Sequence, residues 1–107
     1  MLAFKKDFPY FKVILRVKTF PSHEAKEYYR NELAREPDSL TANLGLGLLW
    51  QESSEFEHAI KYFKTAHNID PESMIIIKHL AEVYISNDQL VLIHKLNSVH
   101  PEMDVFR

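Results

Sequence analysis

Residues 40–73 read LTANLGLGLLWQESSEFEHAIKYFKTAHNIDPES, two apolar patterns of helical period on either side of the polar break QESSE. The first half places Leu44, Leu48, Leu49 and Trp50 at helical spacing, and the second places Phe56, Ile60, Phe63 and Ile69 in the same way. Each half is therefore expected to be an amphipathic helix. Asp38 or Ser39 stands where it can cap the first helix, and Ser53 or Ser54 where it can cap the second. The second helix is expected to give out before Pro71, because a residue preceding proline avoids the helical region.

A shift of 34 residues brings the pattern back: Ala25 falls on Ala59, Tyr28 on Tyr62, Tyr29 on Phe63, Arg30 on Lys64, Glu36 on Asp70 and Pro37 on Pro71. Forward by the same step, Leu46 meets Leu80, Gly47 meets Ala81, Trp50 meets Tyr84 and Phe56 meets Leu90. One period thus links three units, at approximately 6–39, 40–73 and 74–103, within a single domain spanning 1–107.

The central unit resembles the tetratricopeptide repeat through Leu46, Gly47, Trp50, Ala59, Phe63, Ala66 and Pro71. It departs from that pattern at Asn43, where the family carries tryptophan. The preceding unit keeps Ala25, Tyr29 and Pro37 but has Val13 at a small-residue position. The following unit keeps Leu80, Ala81 and Tyr84, then has Ile93, Asn97 and His100 at the next signature positions and Pro101 four residues early. Both outer units are degenerate. The resemblance implies an all-α protein of antiparallel helix-turn-helix hairpins, stacked as a short right-handed α-solenoid of about six helices, at 8–19, 22–35, 39–52, 55–68, 72–86 and 88–99. The run KVILRV, rich in β-branched residues, would pass for a strand by propensity alone, and the period decides for helix. Gly47 and Ala59 are expected to let the helices of one hairpin approach, Ala66 to make room for the next, and Trp50, Phe63 and Tyr84 to fill the spaces between.

Composition narrows the function classes. The 107 residues hold 13 basic and 15 acidic side chains, a net charge of -2, so no pull toward nucleic acid is written into the chain, and Lys12, Arg16 and Lys18 make at most a small basic patch. An apolar fraction of 46% with only two glycines favours helices over a turn-rich sandwich or barrel. The absence of cysteine excludes disulfides, thiolate zinc sites and cysteine nucleophiles; it suits the cytoplasm or an oxidising compartment such as a bacterial periplasm and leaves the compartment open. No apolar run approaches the ~20 residues of a membrane span, so a soluble chain without membrane insertion is expected.

Catalytic patterns fare poorly. The stretch HEAKEYYRNELAREP, residues 23–37, begins like the zinc-protease signature His-Glu-x-x-His, but His23 is followed at i+4 by Glu27, so the second nitrogen ligand is missing. The same stretch reads better as the second helix of the first unit, with Ala25 and Tyr29 inward and His23, Glu24 and Glu27 elsewhere. His58, His67, His94 and His100 lack the close spacing of a metal motif. The serines at 22, 39, 53, 54, 73 and 86 fall at helix starts and breaks, where hydroxyls cap backbone N–H groups. Gly45 and Gly47 lack the context of a phosphate loop. No catalytic residue, metal site or cofactor is expected, and the chain as it stands is not expected to be an enzyme.

By the resemblance, the first helices line a concave groove for a protein or peptide partner, through Tyr10, Ile14, Val17 and Lys18, then Thr41, Leu44, Leu48, Gln51 and Glu52, then Ile75, Lys78, Glu82 and Ile85. Half of these are apolar, so an apolar peptide or helix, or a neighbouring unit, is the expected occupant. Where family members carry lysines and asparagines that clamp a carboxylate, this chain has Tyr10, Ile14, Gly45, Ile75 and His79, so that clamp is absent. The last helix carries Leu92, Ile93, Leu96 and Val99 among more apolar side chains than one packing stripe covers, which points to a homodimer or a neighbouring domain. Two other readings stand beside the scaffold. One is an accessory segment of a larger enzyme, since residues 11–37 are loosely similar to segments that follow the catalytic domain of some bacterial envelope zinc metallopeptidases. The other is a self-assembling oligomerisation module.

Overall fold

The computed structural model describes the backbone of residues 2–87 and the side chains of residues 10–87. Within that span lie five helices and no strand: α1 (Leu2–Thr19), α2 (Ser22–Arg35), α3 (Leu40–Glu52), α4 (Phe56–Ile69) and α5 (Met74–Ser86). The described chain is all-helical, and the β-branched run of the first helix is helix. The sixth expected helix, and with it Leu92, Ile93, Leu96 and Val99, lies outside the described residues.

The local chemistry explains the boundaries. Ser39 and Ser73 begin α3 and α5 in extended conformation, and their hydroxyls accept the N–H groups of Ala42 and Ile76 at 3.2 and 3.4 Å. The start of α4 corrects the sequence reading. Neither Ser53 nor Ser54 caps it; Glu55 holds the cap position without a side-chain bond. Ser53 instead closes α3, its hydroxyl donating to the Trp50 carbonyl at 3.0 Å, and Ser54 takes the left-handed conformation with φ of 62°. Both serve the end of one helix because that end needs a left-handed residue to turn the chain. A second correction concerns α1, which runs back to Leu2 rather than starting near 8. It passes through Pro9, and the one N–H that proline cannot donate does not end the helix.

The period of 34 reappears in the backbone hydrogen bonds. At the α2–α3 turn, Glu36 N–H donates to Glu32, Ser39 to Glu36 and Asn43 to Ser39, at 2.8, 3.0 and 3.1 Å. At the α4–α5 turn, Asp70 donates to Ala66, Ser73 to Asp70 and Ile77 to Ser73, at 2.9, 3.3 and 3.1 Å. Ala25 to Pro21 and Ala59 to Glu55 repeat the same step, as do Ser53 to Leu49 and Asn87 to Val83. The helix packing repeats only in part: α2 meets α3 much as α4 meets α5, but α3 lies along α4 whereas α1 meets α2 at few places.

α3 is the centre of the packing. Residues 42–49 are buried without a break, which corrects the amphipathic helix expected here: neighbours on every side cover α3, and only α4 has one apolar face. On one side Tyr29 of α2 lays its ring on Gly45; a methyl group added there would come within 2.6 Å of Cδ2 and 2.7 Å of Cζ. On another, Phe63 of α4 lies on Gly47, where an added methyl would come within 2.5 and 2.6 Å of two ring carbons. Tyr29 and Phe63 are the aromatics that the 34-residue shift superposes, and each seats a helix against backbone rather than side chain. Ala25, Ala59 and Ala66 are fully buried, as helix-contact positions require.

Candidate functional site

Leu44 and Leu48, one turn apart on α3, lie between the directions of Gly45 and Gly47, and α1 rests on this helix. α1 rests chiefly on α3 and meets α2 at few places. Its buried seam is Tyr10, Val13 and Val17, at i, i+3 and i+7. The expected groove is corrected at this point: Leu44 is 0% and Leu48 7% exposed, and Tyr10 and Val17 are buried as well. Four of the positions assigned to a ligand are thus spent on contacts within the chain, because an apolar stripe on a first helix serves a neighbouring helix as readily as a partner.

Polar contacts hold α1 at both flanks. The Tyr10 hydroxyl donates to the Asp70 carboxylate at the end of α4, across 60 residues of sequence. On the other flank the Arg16 guanidinium stands 4.3 Å from the Tyr28 ring centroid and 5.1 Å from that of Phe20. Arg16 lines a cleft of about 180 Å³ with Lys12, Val13, Tyr28, Tyr29, Glu32 and Thr41. Burial pushes the Tyr29 hydroxyl up to about 12, against the pull of Arg16. Burial also acts to raise Glu32, but hydrogen bonds from Ser39 and Thr41, with the charges of Arg35 and Arg16, outweigh it and hold the carboxyl below its ordinary value. One Glu32 oxygen accepts both hydroxyls, that of Thr41 at 2.7 Å, and ties the end of α2 to the start of α3.

The other positions of the expected groove keep some exposure. Ile14, Thr41, Gln51, Ile75 and Glu82 are half-buried, while Lys18, Glu52, Lys78 and Ile85 are exposed. Beside them His79 stacks on Phe63 with ring centroids 5.8 Å apart. Its Nδ1 stands 3.2 Å from Glu82 Oε1, off the line of a hydrogen bond. Burial holds His79 below its ordinary value; Glu82 pulls it up, and Lys78 and Lys18 press it down. Lys18 of α1 is thus near enough to α5 to be felt there.

Two structural roles escaped the sequence reading. Asn43, the departure from the repeat pattern, is buried and donates through Nδ2 to the Ser39 carbonyl at 2.8 Å and the Pro37 carbonyl at 3.3 Å, pinning the α2–α3 turn. A lone amide one turn inside an apolar helix was the available signal. Asp70 as the anchor for Tyr10 left no signal, since nothing local links residues 60 apart. Trp50 is half-buried, with Lys26 Nζ 4.0 Å from its centroid and the His58 ring stacked at 4.6 Å.

His23, Glu24 and Glu27 are exposed along α2. Among the described residues no group of three or more His, Cys, Asp or Glu side chains is placed to hold a metal ion, and no helix is long and apolar enough to cross a membrane. Compared with known proteins, the chain matches no protein-family model and no curated protein.

Proposed function

We propose that this chain is a noncatalytic protein-interaction scaffold of the tetratricopeptide-like kind, three units stacked as a short right-handed α-solenoid, binding a peptide or helix on its concave side. The 34-residue step shared by sequence and backbone hydrogen bonds supports the repeat reading. The support for binding is that α3 receives α1 through a buried apolar seam, as a helix-binding surface does. Ile14 on α1 and Ile75, Lys78, Glu82 and Ile85 on α5 are the expected groove positions with surface left for a partner.

The test uses exposed positions, because a carboxylate at Leu44 or Leu48 would be buried and would unfold the chain. Wild type and a Lys78→Glu, Ile85→Glu double variant are used for affinity capture, with circular dichroism to show that both fold. Proteins held by the wild type are expected to be lost from the variant. Equal recovery by both removes these positions from consideration.

A further inference from the structure

α1 has two apolar sides. The inner one, Tyr10, Val13 and Val17, is buried in the core. The outer one carries Phe11, 46% exposed, and Leu15, 63% exposed, one turn apart and opposite the valines. In the sequence Phe4 and Phe8 precede them, so that the four positions run at i, i+4, i+7 and i+11 along a helix that begins at Leu2. At about 100° per residue Lys12 and Lys18, both exposed, fall on either side of this strip. Just beyond α1, Phe20 is exposed, as is Tyr28 of α2, with the Arg16 guanidinium over both rings.

Charge is divided as unevenly as apolar surface. Residues 1–20 hold five basic side chains and one acidic, a net of +4 in a chain whose total is -2, so the remaining residues carry -6. Among the described residues none of Lys12, Arg16 and Lys18 enters an ion pair. A second copy laid α1 against α1 would bring like charges together. No described element crosses the strip, so it lacks the walls that grip a peptide. An anionic lipid surface answers both halves of the pattern: the acyl boundary takes up apolar side chains, and lipid phosphates meet ammonium groups whose long stems reach past them.

We propose that the outer side of α1 is a peripheral membrane contact. The helix lies in the plane of an anionic lipid surface, with Phe11 and Leu15 in the boundary between head groups and acyl chains, Lys12 and Lys18 at the phosphates, and the acidic remainder of the chain turned toward water. It rests on the surface without crossing it. One basic helix with a short apolar strip makes a weak and reversible hold, which depends on anionic lipid and on salt. The contact is independent of the α5 positions offered to a peptide, which belong to another helix.

The full chain is sedimented with vesicles of phosphatidylcholine alone and of phosphatidylcholine with an equal part of phosphatidylserine, at about 0.05 M and about 0.5 M salt. The wild type is expected to partition onto the anionic vesicles at least about tenfold more strongly than onto the neutral ones, and to be released by the higher salt. Lys12→Glu with Lys18→Glu is expected to weaken that partition at least about tenfold, and Leu15→Glu to weaken it by itself. Lys61→Glu with Lys64→Glu makes the same change of net charge at two exposed lysines of α4 and is expected to keep most of the binding. Circular dichroism shows that each variant folds; if Leu15→Glu does not, the two lysine pairs decide. Equal loss in both lysine pairs overturns the proposal, as does equal binding to neutral and anionic vesicles. Wild-type indifference to both vesicles also overturns it, and proteins then captured by the wild type but lost by Leu15→Glu assign the strip to a protein partner instead.

Discussion

Replacing Gly47 by alanine tests the seat of α4 on α3. In an exposed helix interior this change stabilises by about 0.5 to 1 kcal/mol, since glycine loses the most backbone freedom on folding. Here the added methyl would sit 2.5 and 2.6 Å from two ring carbons of Phe63, which is fully buried and has no room to withdraw. Overpacking of a filled core costs about 1 to 3 kcal/mol, and an overlap with an enclosed ring belongs at the upper end of that range. The balance is a net loss of about 2 kcal/mol, or a fall in Tm of roughly 8 to 16 °C for a domain of this size. Urea unfolding followed by circular dichroism gives the loss as a shift in midpoint at unchanged slope. Gly45→Ala should behave alike against Tyr29. A Gly47→Ala, Phe63→Leu double variant should lose less than the sum of its single changes by about 1 kcal/mol or more, because the smaller side chain returns the space. A neutral or stabilising Gly47→Ala would refute the seating of α4 on bare backbone.

Ser54 holds a φ of 62°, a conformation that costs a side chain about 1 kcal/mol or more, so Ser54→Gly should raise stability by about 1 kcal/mol; a decrease in urea midpoint contradicts the left-handed closure of α3. Ala59 has no exposed surface, and Ala59→Leu should cost about 1 to 3 kcal/mol, read as the drop in Tm relative to the same change at exposed Lys61. Because burial lowers His79 below its ordinary value of 6.5, the unfolded chain takes up this proton first as pH falls. Its contribution is complete above about 6.5 and is lost on acidification toward the lowered folded value, so His79→Gln should flatten the dependence of stability on pH between about 7 and 5.

The all-helical class and the contact faces of α2 and α4 were legible because their information is local. Ala25, Tyr29, Ala59 and Phe63 announce the contact faces of α2 and α4, and Ser39 with Pro37 before it announces a helix start. α2 spans the expected residues for that reason. The start of α4 was not legible, since serines at 53 and 54 satisfy the pattern of a cap and of a helix end equally well, and the need for a left-handed residue shows only in the backbone. The groove was misread at Leu44 and Leu48 for a related reason. Spacing assigns a residue to a face but does not say which of two candidates, a ligand or α1, covers it, and the Tyr10–Asp70 contact that decides for α1 joins distant parts of the chain.

Ser39 and Ser73 share more than a pattern: their backbone angles are -62° and 116° at one, -72° and 114° at the other, with corresponding backbone bonds on either side. A piece of chain cut at these two serines starts and finishes on one local geometry, so a duplicate spliced in between them would begin and end on turns the molecule already possesses. Lengthening by whole cassettes asks for no new corner to be invented, and each added cassette would carry its own Gly47 and Phe63 seat with it.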